Sequence, residues 1–209
     1  MTTWVYDTET LPNRTLLSAK CVESGEWFDI WRHEDDAVEK LRHFISTGDK
    51  TFIGFNSIYF DALIVSAFCA GRQEMEIKRI ADDLIVNRTP YWEAFKKFHL
   101  RKYLKDHIDL IEVAPSFVGL KAYGARMHMP TLQDMPLAHN TMVRPDQEQQ
   151  IKDYCHNDVE TTERLLSLLE PEIMLRVEMS RRYGVDLRSK SDSQMAEQAI
   201  ARAGLNECL

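Results

Sequence analysis

The chain lacks the features that would place it in several large protein classes. Its four cysteines, Cys21, Cys69, Cys155 and Cys208, are scattered and no two form a CxxC pair. That spacing excludes a disulfide framework and a zinc knuckle, and fits reduced thiols in a cytosolic protein. No apolar run approaches the ~18 residues needed to span a bilayer, and the N-terminus carries no charged-then-apolar signal pattern. No membrane partner is therefore expected. Positive charge is in short supply: 26 Lys and Arg stand against 33 Asp and Glu, for a formal net charge of -7. This argues against a protein that coats nucleic acid through many cationic contacts. It leaves room for an enzyme that reaches phosphate through bound cations. Repeats and low-complexity linkers are also absent. At 209 residues and 44% hydrophobic, the chain has enough apolar material for one substantial core.

The most informative stretch is Trp4-Val5-Tyr6-Asp7-Thr8-Glu9-Thr10, which reads as a strand. Side chains alternate faces along a strand, so Asp7 and Glu9 project the same way, with Val5. Two adjacent carboxylates are tolerated if one is protonated, if both face water, or if a divalent cation lies between them. An exposed acidic strand end and the floor of a metal site both fit the pair taken alone.

Further along, 14–22 and 26–31 read as a hairpin turning at Glu23-Ser24-Gly25. A helix over 35–46 follows, then an almost wholly apolar strand over 51–55, as expected for a strand buried on both faces. Helices are predicted over 60–70 and 74–86. His107 to Ile111 alternates as another strand, with a short helix over 119–127 and a loop over 131–144. Pro145 is placed to begin a long helix running to about Leu169. Helices over 172–183 and 192–203 complete the chain, the last capped by Ser191. The order implies an α/β fold: a mixed sheet of about five strands flanked by helices, whose first hairpin is antiparallel. Residues 1–170 form the main domain and 171–209 a helical extension packed on it.

On the long helix, Ile151, Tyr154, Cys155, Val159, Thr162 and Leu165 follow helical spacing, and Asp158 lies on the same stripe one turn after Tyr154. A carboxylate on a buried face is costly unless it is paired or binds a metal. An Arg or Lys partner would satisfy it; beside Asp7 and Glu9, a third metal ligand is the better reading. Asp61, at a helix start after the buried strand, is the fourth candidate, with a first-turn acid favoured by the helix dipole as its plain alternative. Asn56 at the strand end either bonds a nucleotide or closes the turn.

Together, Asp7-x-Glu9, Asn56-x-x-x-Phe60-Asp61 and Tyr154-x-x-x-Asp158 resemble, in order and spacing, the three exonuclease motifs of the DEDD superfamily in its tyrosine-bearing subclass. The resemblance spans about Thr3 to Leu169. The second motif, the opening Tyr6-Asp7-Thr8-Glu9-Thr10-Leu11-Pro12-Asn13 and the later Ser191-Asp192-Ser193-Gln194 look like the proofreading region of phage-type DNA polymerases. The resemblance implies a ribonuclease-H-like fold and a bacterial or phage-infected cell. It also implies 3′–5′ hydrolysis of single-stranded DNA ends to nucleoside 5′-monophosphates, in possible company with a DNA polymerase. Asp7, Glu9 and Asp158 would hold one divalent cation, Mg or Mn. Asp7 would touch a second, whose waters Asp61 would order. A tyrosine with a pKa near ~10 is a poor base at neutral pH, so Tyr154 is assigned to orienting the attacking water.

The segment 90–105 interleaves Lys96, Lys97, Arg101, Lys102 and Lys105 with Tyr91, Trp92, Phe95, Phe98 and Tyr103. It either grips single-stranded nucleic acid or is a charged helix with its aromatic side in the core. Thr10, Leu11, Asn56, Phe60, Lys97, Arg101 and Lys121 are the expected nucleic-acid contacts, with Arg126 a further candidate. His156 should point away from the Tyr154–Asp158 face, and His107 with Asp109 reads as an accessory site or, on the better reading, as a structural pair at a strand end. The rival functions are a ribonuclease D-like RNA exonuclease and a non-catalytic nucleic-acid-binding module of the same fold. Nothing in the motifs decides the sugar.

Overall fold

A computed structural model describes residues 1–206, which leaves Cys208 outside the described residues. The first three strands, β1 (Thr2–Leu11), β2 (Arg14–Cys21) and β3 (Trp27–Trp31), form an antiparallel meander. Helix α1 (Ala37–Ser46) carries the chain across to β4 (Lys50–Gly54), which pairs parallel to β1. Helices α2 (Asp61–Cys69), α3 (Glu74–Ile85) and α4 (Tyr91–Lys97) precede β5 (His107–Asp109), which lies parallel to β4. The sheet order is β3-β2-β1-β4-β5. The chain is thus α/β, with the mixed five-strand, ribonuclease-H-like sheet that the sequence implies.

Alternation along β1 sorts the core into two layers. Trp4 and Tyr6 pack with Leu41, Phe52, Leu63 and Phe68 beneath α1, α2 and α3. Val5 faces the other way and packs with Ile53, Ile108, Val159 and Leu165. That second layer is closed by α5 (Leu120–Arg126), α6 (Glu148–Leu168) and α7 (Glu170–Tyr183). Leu11, Leu16, Ile151 and Cys155 form a third cluster at the far end of the same face. Asp7 and Glu9 therefore sit between two apolar clusters, on the face covered by α6.

Several boundaries differ from the sequence-based expectation. Pro145 opens a separate 3-10 turn, Pro145–Gln147, and α6 begins at Glu148. The turn is closed by the Gln147 side chain, which accepts from the Arg144 N–H at 3.1 Å. Pro171 does not stand between two helices but sits in the first turn of α7, where no intrahelical N–H is missed. The strand expected over 107–111 stops at Asp109, whose carboxylate takes up the Ile111 N–H at 3.1 Å and turns the chain out of the sheet. Segment 90–105 divides: Phe95, Phe98 and Tyr103 pack against the first core layer, while Trp92, Arg101, Lys102 and Lys105 are exposed.

The final helix, α8 (Asp192–Asn206), starts at a reciprocal cap: Gln194 N–H donates to Ser191 Oγ and Ser191 N–H to Gln194 Oε1. Buried Arg176 ties α7 to this start through Asp192 (2.6 Å) and the Lys190 carbonyl (2.9 Å). Ile173 and Val177 of α7 belong to the second core layer. No helix among the described residues is long and apolar enough to cross a membrane.

Candidate functional site

Asp7, Glu9, Asp61 and Asp158 line one open cleft of about 600 Å³, together with Asn56, Phe60, Phe117 and Leu120. Three separate elements supply the acids. The pleat of β1 presents Asp7 and Glu9, the first turn of α2 presents Asp61, and the inward stripe of α6 presents Asp158.

The acids disturb one another strongly. Burial pushes the Asp7 carboxyl well above the usual range, and the charges of Asp61, Glu9 and Asp158 push it further. Glu9 is raised in the same way by burial, Asp158 and Asp61. Asp61 is raised to about 7, chiefly by burial. Burial also raises Asp158, against hydrogen bonding from Tyr154 and the charge of Lys121. Lys121 is the cation that eases both Glu9 and Asp158, and its ammonium is shared with Asp134 at 2.6 Å. Four crowded acids with one shared lysine form a strongly electronegative site.

Whether these residues suit divalent cations is a question of donor chemistry and spacing. Carboxylate oxygens are the hard donors that Mg and Mn prefer. Among the described residues, one triplet has its ligand atoms all within 4.8 Å of one another: Asp7, Glu9 and Cys155. Asp61 and Asp158 share the cleft but lie outside that triplet. Asp61 Oδ1 is occupied by Thr8, accepting its N–H at 3.1 Å and its hydroxyl at 2.5 Å. Asp61 thereby fixes the β1 backbone between Asp7 and Glu9. Asp7 and Glu9 thus offer hard oxygen donors close together; the third member of the triplet is a protonated thiol, and the Asp158 and Asp61 carboxylates lie farther out in the same cleft.

Tyr154 is buried next to Asp158, and Lys121 Nζ lies 5.8 Å from its ring centre. Burial and then the charges of Asp158, Glu9 and Asp7 raise its hydroxyl above its ordinary value. It stays protonated at neutral pH and so keeps a hydrogen to donate. Cys155, the next residue, was not singled out as functional by the sequence pattern. Its thiol points at Asp7 Oδ2 from 3.7 Å, and burial and that carboxylate keep it protonated. Its position on the inward stripe, three residues before Asp158, is the signal that could have found it.

The loop joining β4 to α2 forms one rim. Gly54 is required where it turns: a methyl there would meet the Ser57 side chain at 2.5 Å. Asn56 takes a left-handed φ of 59°, a conformation asparagine tolerates better than most residues. Asp109, fully buried on β5, clamps the loop by accepting the N–H groups of Asn56 (2.7 Å) and Ile58 (2.8 Å). His107 Nε2 lies between Ser57 Oγ (2.9 Å) and Tyr6 Oη (3.0 Å). Burial lowers its pKa to about 4, so it is neutral there. These two residues build the rim and do not line the cleft. Asp109→Ala would strand those N–H groups together with that of Ile111. We expect urea unfolding to show a loss of about 3 kcal/mol; a loss below about 1 kcal/mol would mean that the loop is held by other means.

The expected nucleic-acid contacts separate. Asn56 and Phe60 line the cleft, and Lys121 stands at its edge. Leu11 is fully buried in the third core cluster, because its even spacing from Asp7 turns it under α6; it offers no surface to a ligand. Thr10 faces away from the acids, its hydroxyl enclosed without a partner. Lys97 pairs with Asp83 at 2.8 Å, and Arg101 stacks on Tyr103 with its charged group 4.7 Å from the ring centre; neither lines the cleft. His156 bonds Asp29 at 2.7 Å and stacks on Trp27, away from the acids. Searches of family models, curated proteins and solved structures gave no match to the chain.

Proposed function

We propose that the chain is a metal-dependent 3′–5′ exonuclease that removes nucleoside 5′-monophosphates from single-stranded DNA ends. The observation that carries this reading is the convergence of Asp7, Glu9, Asp61 and Asp158 in one cleft whose burial and mutual repulsion leave unmet demand for positive charge. The 3′–5′ polarity and the product follow from the motif resemblance, Asp7-x-Glu9 with Asn56-x-x-x-Phe60-Asp61 and Tyr154-x-x-x-Asp158.

Divalent cations held by Asp7, Glu9 and Asp158 would supply a nucleophile at neutral pH and offset charge on the leaving oxygen. The protein's own groups do the rest. Thr8, gripped by Asp61, keeps the two β1 carboxylates in register. The Tyr154 hydroxyl, held protonated, donates to the attacking water or to Asp158 and fixes its approach. Lys121 brings a positive charge toward Glu9 and Asp158, where a phosphate would enter. Phe60, Phe117 and Leu120 give the cleft apolar walls against which a terminal base can stack.

The test is a 5′-labelled single strand incubated with Mg or Mn. We expect a ladder that shortens from the 3′ end. Internal cuts would make it an endonuclease. No cleavage, with no rise in melting temperature at millimolar Mn, would make it a binding module. Matched DNA and RNA oligonucleotides decide the sugar.

A further inference from the structure

Two cavities lie outside the acid cleft and share a wall. The larger, about 760 Å³, opens at the start of β4 and is lined by Arg42, Lys50, Arg101, Lys102 and Lys105. Its two acids are Asp49 and Asp106, and Asp106 is already paired with Arg188 at 2.5 Å. The smaller, about 280 Å³, continues past Lys102, Tyr103 and Lys105 to Tyr91, Lys190 and Ile58. Among the described residues, none of Arg42, Arg101, Lys102, Lys105 and Lys190 takes part in an ion pair, in a protein whose net charge is -7.

The second cavity and the acid cleft are lined by neighbouring residues of one chain segment. Ile58 belongs to the loop that carries Asn56 and Phe60, and Ala62 in the cavity wall follows Asp61 directly on α2. Aromatic rings bridge the interval. Tyr91 meets exposed Tyr59 edge to face at 5.3 Å, and Lys102 Nζ lies 5.9 Å from the Tyr91 ring centre. Cations set beside exposed Tyr59 and half-buried Tyr91 and Tyr103, along two cavities that share a wall, suit a chain with a phosphate on every unit and a flat base between.

We propose that this band, from Arg42 and Arg101 through Lys102, Tyr103, Lys105 and Tyr91 to Tyr59, is a track that holds single-stranded nucleic acid upstream of the end being hydrolysed. The proposal rests on the nuclease reading for what the acid cleft does. It accounts for a basic, aromatic segment that the cleft leaves unused. Lys102 and Lys105 serve both cavities and are exposed, so replacing them leaves the core untouched.

The experiment compares the wild type with the double variant Lys102→Ala, Lys105→Ala on single strands of about 3 and about 20 nucleotides, as DNA and as RNA. The preference in kcat/KM for the longer strand should fall about tenfold. Binding of the labelled 20-mer is measured by anisotropy in an Asp7→Asn background, so that it does not depend on cleavage. Its salt dependence should weaken by about 1.4 in the slope of log K against log salt, two single-strand phosphate contacts at about 0.7 each. An unchanged preference and slope, with cleavage intact, would overturn the track and leave the nuclease standing. A weakened slope in a protein that cleaves neither length would keep the track and remove the nuclease. The DNA and RNA arms tell which sugar the band favours.

Discussion

Asp7→Asn is expected to end hydrolysis while making the metal-free protein harder to unfold. The substitution keeps the shape of the side chain and removes one negative charge from the most crowded of the four acids. Burial and the charges of Asp61, Glu9 and Asp158 all disfavour ionised Asp7. Its contact with the Cys155 thiol is long, at 3.7 Å, so little bonding is lost with the charge. Removing a carboxyl that the metal-free fold must either leave charged in a desolvated cluster or reprotonate should stabilise the fold by about 1–3 kcal/mol. For a chain of this length that corresponds to a rise of about 2–12 °C in melting temperature. Activity should fall at least about 1000-fold, because a ligand shared between cation positions is gone. The stabilisation by Mn seen in the wild type should shrink with it. Calorimetry in EDTA and in Mn, beside the labelled-strand assay, checks all three. If Asn lowers the melting temperature in EDTA, the cluster is a structural network and not a metal centre. If cleavage persists near the wild-type rate, Asp7 is no ligand of a catalytic ion.

The pattern of side chains made much of this legible before any coordinates. Period-two alternation in β1 sufficed to put Asp7 and Glu9 on one face, since a strand has no freedom to do otherwise. Helical spacing did the same for Tyr154 and Asp158 on α6, and the apolar run at β4 marked the strand buried on both sides. Interactions between distant segments were not legible. That Asp109 would clamp the Asn56–Ile58 backbone depends on β5 pairing with β4, and no local pattern encodes that pairing. Leu11 follows the same alternation as Asp7, yet its burial depends on α6 and the 131–144 loop closing over it. Lys97 and Arg101 sit in a basic segment whose composition says nothing about which end of the sheet it reaches. Composition gave the chemistry of that segment, and the fold placed it along the α2 side of the molecule instead of at the acids.

In EDTA, the protein should grow more stable as the pH falls from about 8 to about 5, against the common trend of acid unfolding. The direction follows from which state binds the proton. Asp61 titrates at about 7 in the folded protein and Asp109 at about 6, both chiefly through burial, while an unfolded aspartate titrates near ~3.9. Between those values the folded state holds protons that the unfolded state has released. Adding acid therefore favours the fold through that window, and the benefit is complete once the unfolded carboxylates protonate. Asp7 and Glu9 are raised as well and act in the same direction. Asp61 alone is worth on the order of 3 kcal/mol across the range.

His107 opposes this. Its folded value of about 4 lies below the ~6.5 of an exposed histidine, so the unfolded state takes up the proton first and stability drains away between those two values. One histidine against Asp61, Asp109, Asp7 and Glu9 leaves the sum in favour of the acids down to about pH 5. Millimolar Mn should reverse the slope. A bound cation favours the ionised carboxylates, so its stabilisation is greatest at pH 8 and fades toward pH 5 as protons compete for the same oxygens. Urea midpoints at pH 8, 6.5 and 5, with EDTA and with Mn, give both slopes. Stability that declines with acid in EDTA across this range would mean that the four acids do not crowd one another as Asp7, Glu9, Asp61 and Asp158 do here. An Mn effect equal at pH 5 and pH 8 would place the bound ion somewhere other than on these carboxylates.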